Sequence, residues 1–185
     1  MEVNPDFIKI AKALDIERAQ GHLRGKLHGI PFIVKDNIAS KDKMETTAGS
    51  WALLGSVVPR DAHVVHKLRE AGAVLMGHAT LSEWADMRSN YYSEGYSARG
   101  GQCRSPYNLT VNPGGSSSGS GAAVAANLIT FSLGTETDGS GMYHIIDSRS
   151  WTNFLSDQPC RKKCPCRNQT HSRFNVASWV NIPSL

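Results

Sequence analysis

The chain has 185 residues, of which 40% are hydrophobic and 19% charged, the balance of a globular protein with a sizeable core rather than of a disordered or fibrous chain. No run approaches eighteen apolar residues, and the start Met1-Glu-Val-Asn-Pro-Asp6 lacks the basic and apolar regions of a signal peptide. The expectation is a cytoplasmic chain with no membrane partner. The net charge of +4 is uneven: residues 1–140 hold 14 Lys/Arg against 14 Asp/Glu, and residues 141–185 hold six against two. The basic excess therefore gives the domain itself no nucleic-acid signal, and the shift marks a boundary near residue 140.

In chain order, Asn4 and Pro5 read as a helix N-cap and first helical position. Phe7, Ile8, Ile10, Ala11 and Leu14 follow at helical spacing, and Gly21 is the stop. Gly29-Ile-Pro-Phe-Ile-Val-Lys35-Asp-Asn37 reads as a buried strand and a polar turn, with Pro31 at an edge or strand entry. Position alone favours Lys35 as a side chain snorkelling to solvent from a strand end. The chemical alternative is a desolvated amine of lowered pKa, able to act as a base. Residues 36–60 form a long loop punctuated by Gly49, Gly55 and Pro59. Asp61 then caps a helix over 62–71 that Gly72 ends. His63 and His66 share a face of that helix, but no carboxylate or cysteine stands at matching spacing, so they read as a solvated face.

Ala73-Val-Leu-Met76 is a short buried strand, and Leu81–Met87 a short helix capped by Thr80. Residues 88–112 are an irregular stretch carrying Tyr91, Tyr92, Tyr96 and Tyr107, which either wall a pocket or pack over the core. A glycine and serine loop from Asn112 runs into an alanine-rich helix ending near Ala126. The apolar segment Leu128–Gly134 leads to a second small-residue loop, Thr135–Ser140. Helices alternating with short apolar strands predict an α/β fold with a mixed sheet flanked by helices. Beyond residue 140, Cys160-x3-Cys164-x-Cys166 with His171 invites a zinc reading, but its spacing fits no paired Cys-x2-Cys arrangement. Arg161-Lys-Lys163 reads as a solvated basic run, and Asn108-Leu-Thr110 and Asn168-Gln-Thr170 are chance-level glycosylation patterns.

Amide hydrolysis needs a nucleophile, a base that returns its proton to the leaving nitrogen, and donors for the oxyanion. A Ser-His-Asp system finds little support: Gly115–Gly119 has the letters of a nucleophile elbow but precedes its own strand. The histidines read as lying on a helix, in a turn or in the tail. A Ser–Lys system is the alternative, with Lys35 as candidate base.

Here the residues resemble a known family. Gly114–Ala126 with Gly134-Thr-Glu-Thr-Asp-Gly-Ser140 is similar to the signature of the amidase signature family. Leu27–Asn37, Pro59–Ala62, Lys67–Ala73 and Leu81–Trp84 match it in the same order, over roughly residues 4–140. The resemblance implies a Ser–Ser–Lys triad without cofactor or metal, acting on a small-molecule amide. Ser140 would be the nucleophile, Ser116 the relay serine after a cis peptide bond, and Lys35 the base. Backbone N–H groups from Thr137, Asp138 and Gly139 to Ser140 would bind the oxyanion, with Ser117 orienting the relay. The likeness stops within one residue of Ser140, where the family continues. The edge reads as a frame change or a retained intron in the gene model, leaving an incomplete domain over 1–140 and a divergent, poorly ordered tail over 141–185. Two other readings stand beside the hydrolase: an inactive or purely interacting fragment, and the amide-transfer subunit of a tRNA-dependent amidotransferase. Oligomeric state is not legible.

Overall fold

The computed structural model describes residues 1–136 and 139–141, together with the backbone of 151–155 and 175–180. Its centre is a six-stranded mixed sheet. The strands are β1 (Glu2–Val3), β2 (Pro31–Lys35), β3 (Val74–Ala79), β6 (Phe131–Glu136), β7 (Trp151–Leu155) and β8 (Asn175–Val180), in the spatial order β1-β3-β2-β6-β8-β7. The three middle strands β3, β2 and β6 are parallel. β1 joins one side antiparallel, and β8 and β7 join the other. A two-stranded ladder of β4 (Tyr96–Ser97) and β5 (Gly101–Gln102) stands apart. The helices are α1 (Phe7–Ala19), α2 (His63–Glu70) and α3 (Ser118–Ala125). The α/β mixed sheet is as the alternation of helices and strands predicts, and β7 and β8 come from the stretch that composition sets apart.

Strand alternation sorts β2 into two faces. Phe32 and Val34 enter the larger core with Val65 of α2, Leu75, Phe131 and Leu133. Ile33 packs toward the smaller cluster of Val124 and Ile129 beside α3. The Phe32 and Phe131 rings stack with centroids 5.4 Å apart across paired residues of β2 and β6. Pro31 opens a strand flanked on both sides, so it occupies a strand entry, where its missing N–H does least harm.

α3 lies very close to the sheet because its contact residues are small. Ser118, Gly119, Ser120 and Gly121 are all buried. Ser120 Oγ donates to the Leu133 carbonyl (2.9 Å), and Ser132 Oγ donates to the Ser120 carbonyl (2.8 Å), so helix and strand exchange hydroxyl bonds. At Gly119 a β-carbon would stand 2.6 Å from the Thr80 carbonyl oxygen.

Several local expectations change. Asn4 does not cap α1 directly. It is buried, its amide donates to the Leu75 carbonyl (3.0 Å), and its Oδ1 accepts from the Asp6 N–H (3.0 Å). Of the apolar positions expected to pack α1, Leu14 is buried but Ile8 is exposed. Asp61 does not cap α2, because its carboxylate is taken by the Lys41 N–H (2.6 Å) and faces Arg69 Nε (3.2 Å). Residues 81–87 are not a regular helix: Glu83–Asp86 is a 3₁₀ turn in which Trp84, Ala85 and Asp86 have φ of 57°, 52° and 74°. Thr80 lies against Ser97 rather than serving as a cap. Tyr91, Tyr92, Tyr96 and Tyr107 are all exposed, so they do not pack over the core. The cysteine cluster, His171, Arg161-Lys-Lys163 and Asn168-Gln-Thr170 lie outside the described residues. Among the described residues no helix is long and apolar enough to cross a membrane.

Candidate active site

Parallel strands end on the same side, and the site sits at the carboxyl ends of β2 and β6, the usual ligand end of such a sheet. Lys35 is the last residue of β2, and Thr135 and Glu136 close β6. Between them enters the loop before α3, where Gly114 has φ of 70° and the Gly115–Ser116 peptide is cis. Ser82 N–H donates to the Ser116 carbonyl (3.0 Å) and Ser117 N–H to the Ser140 carbonyl (3.2 Å). Those two bonds fix this loop to the turn after β3 and to the turn after β6.

The side chains converge. Lys35 Nζ is 2.6 Å from Ser116 Oγ, 3.0 Å from Ser117 Oγ and 2.9 Å from Thr135 Oγ1. Ser116 Oγ is in turn 2.9 Å from Ser140 Oγ. Lys35, Ser116 and Ser117 have no exposed surface, whereas Ser140 retains 7%. Only the far end of the line therefore reaches the surface. Burial pushes the Lys35 amine down to about 7, while the more distant carboxylates of Asp86, Glu136 and Glu94 pull it upward. Lys35 does not snorkel; its charge is withdrawn from water and its head group is met by hydroxyls.

Of the residues expected here, the structure brings Lys35, Ser116, Ser117 and Ser140 together. Gly139 is adjacent, but its N–H donates to Glu136 Oε1, and the Gly141 N–H donates to Oε2 of the same carboxylate. While that bond holds, the Gly139 N–H is not free for another acceptor. Thr137 and Asp138 lie outside the described residues. Sequence reasoning misses Thr135, although it belongs to the Gly134–Ser140 motif. It touches Lys35 because β6 runs parallel to β2, a pairing that no spacing along the chain reveals.

A second polar line lies behind the first. His78 is on β3 rather than in a turn. Its Nδ1 is 2.8 Å from Asp36 Oδ1 and its Nε2 is 2.8 Å from Ser40 Oγ. The arrangement is that of a Ser-His-Asp set, but Ser40 and Asp36 are fully buried and His78 is 2% exposed, so no substrate reaches it. Asp36 also accepts from Thr47 Oγ1 (2.6 Å), Thr47 N–H (3.3 Å) and Gly49 N–H (3.0 Å). This network binds the long 36–60 loop to the sheet, directly beside Lys35. His63 and His66 are exposed on α2 as expected of a solvated face, but a carboxylate does stand at helical spacing: Glu70, four residues on, faces His66 (3.1 Å).

The family model described as Amidase matches residues 1–142. A Schizosaccharomyces pombe protein that bears an amidase name is 76% identical over 147 residues, covering 80% of this chain and 24% of that protein. A glutamyl-tRNA(Gln) amidotransferase subunit from Staphylococcus haemolyticus is 43% identical over 136 residues, covering 72% of this chain and 26% of the staphylococcal one. The native peptide amidase from Stenotrophomonas maltophilia superposes with a TM-score of 0.78 at 50% identity, over 83% of this chain and 31% of that one. The chain thus spans about a quarter to a third of the length of these relatives.

Proposed function

The chain belongs to the Amidase family, and from that premise we propose that it carries the catalytic lysine and serines of a hydrolase that cleaves a carboxamide C–N bond through a serine acyl-enzyme. The observation that carries this reading is the unbroken line Lys35 Nζ–Ser116 Oγ–Ser140 Oγ, with steps of 2.6 and 2.9 Å. Neutral Lys35 accepts the Ser116 proton as Ser116 accepts that of Ser140. Ser140 Oγ attacks the amide carbon, and a C–O bond forms as the carbonyl oxygen takes the negative charge. The proton returns through Ser116 to the nitrogen, the C–N bond breaks and the amine leaves. Water then attacks the ester by the same route, releasing the acid and restoring Ser140.

The oxyanion falls to backbone N–H groups of the loop from Thr137 to Ser140. In this reading the Gly139 N–H turns from Glu136 to the oxyanion. Ser117 orients the base rather than the relay alone, since its Oγ contacts Lys35 directly. In this proposal residues 1–140 form the amidase-like part, and the divergent stretch 141–185 adds β8 and β7 to its sheet beside β6. No cofactor takes part in the proposed reaction. Hydrolysis is favoured over amide transfer because identity to the amidase-named protein exceeds that to the amidotransferase chain.

A serine-directed phosphonate tests the reading. The expected result is an adduct on Ser140, mapped by mass spectrometry, that disappears in Lys35→Ala. A cooperatively folding protein with no adduct would instead identify an inert fragment of the family.

A further inference from the structure

Resting on that reading, the structure also bears on what aims the base. A neutral amine has two N–H bonds and one lone pair, and only the lone pair can receive the Ser116 proton. Lys35 Nζ has three oxygen neighbours, so the direction of each contact matters. Ser117 Oγ spends its proton on the Thr135 carbonyl (3.1 Å) and so accepts from Lys35. The second N–H must then go to Thr135 Oγ1, or the lone pair is turned away from Ser116.

Thr135 is β-branched, and rotation about χ1 would exchange its hydroxyl for its methyl group. What holds the hydroxyl inward is Asn37, two residues beyond Lys35, whose Nδ2 donates to Thr135 Oγ1 (3.1 Å). Asn37 Oδ1 is buried and has no hydrogen-bond partner among the described residues. Half a turn of the amide brings that acceptor to Thr135, where it takes the hydroxyl proton and leaves the oxygen's lone pairs to Lys35. In either orientation the amide ties Thr135 Oγ1 in place.

We propose that Asn37 is a positioning residue that acts through Thr135 to aim the lone pair of the Lys35 amine at Ser116. A residue serving only the turn after β2 would affect stability without acting through the Thr135 hydroxyl.

The test is the titration of Lys35 in the full 185-residue chain, followed by NMR on lysine labelled at Cε. It needs no turnover and compares wild type, Asn37→Ala, Thr135→Val and the double variant. Without Asn37 the Thr135 hydroxyl is free to rotate away from Lys35, and losing that acceptor disfavours the ammonium form, so Asn37→Ala should lower the midpoint by about half a unit or more. The same substitution in the Thr135→Val background should add nothing, because the route through the hydroxyl is gone. Equal shifts in both backgrounds, or an unmoved midpoint in Asn37→Ala, would overturn the proposal. Asn37→Ser carries the same comparison where Asn37→Ala does not fold, and failure of both to fold would assign Asn37 to structure alone and overturn it. A wild-type midpoint in the ordinary lysine range would overturn the base reading itself. A wild-type midpoint near 7 that Asn37→Ala leaves in place overturns only this inference.

Discussion

Lys35 Nζ and Ser116 Oγ, 81 residues apart in the chain, meet at 2.6 Å in complete burial. The sheet supplies one partner and a tight glycine-flanked turn the other, so the contact depends on how closely the two pack. Its consequences can be measured separately.

The first concerns pH and reactivity. A lysine lowered to about 7 is protonated below that pH and cannot accept the Ser116 proton. Phosphonate labelling of Ser140 should therefore rise about tenfold per unit up to about pH 7 and level off above it. Lys35→Met should slow labelling by about 10²- to 10⁴-fold on the plateau. A flat rate from pH 5 to 9 would contradict Lys35 as the base.

Stability should follow the same group with a defined sign. The folded pKa of about 7 lies below the ordinary 10.5. Between those values the unfolded chain binds a proton that the folded chain does not, so stability rises with pH through that window. The cost of burying the ammonium is fully present below the window. Urea melts at pH 7 and 9.5 should show an increase of at most about 1.4 kcal/mol per unit from this group. Lys35→Met should be more stable at pH 7 and should lack that part of the slope.

Packing of α3 gives a third expectation. An added β-carbon at Gly119 meets backbone atoms of Thr80 at 2.6 and 2.7 Å, which cannot yield as a flexible side chain would. Gly119→Ala should cost about 1–3 kcal/mol in urea unfolding. It should also slow Ser140 labelling, since α3 follows directly on Ser116 and Ser117.

The line behind the site gives a fourth. Asp36→Ala removes the acceptor of Thr47 N–H, Thr47 Oγ1, Gly49 N–H and His78 together. A loss of about 3–5 kcal/mol is expected by thermal or urea unfolding. Ser40→Ala removes one hydroxyl from the same network and should cost only about 1 kcal/mol.

Much of this was legible in the residues. The apolar run at Phe32–Val34, the small-residue loop into α3 and the motif ending at Ser140 located β2, α3 and the family resemblance. Local signals failed where a tertiary contact outcompeted them. Asp61 has a capping residue's side chain but spends it on Lys41 and Arg69. Residues 83–86 read as helix but turn left-handed after Glu83, at Trp84–Asp86, while the Trp84 N–H bonds to the Ala48 carbonyl. β1 has only two residues and leaves no periodicity to read.

The sequence by itself determined which groups are available: a lysine at a strand end, serines in two glycine-rich loops, and the family whose motifs these are. Only the tertiary structure decided their chemical state and their company. Desolvation depends on everything packed around a group, and Lys35 loses its water because β2 is flanked by β3 and β6 and approached by the loop before α3. Thr135 meets both Lys35 and Asn37 because parallel strands bring residues about a hundred positions apart side by side. Such proximity is a property of the fold, and no local pattern along the chain encodes it.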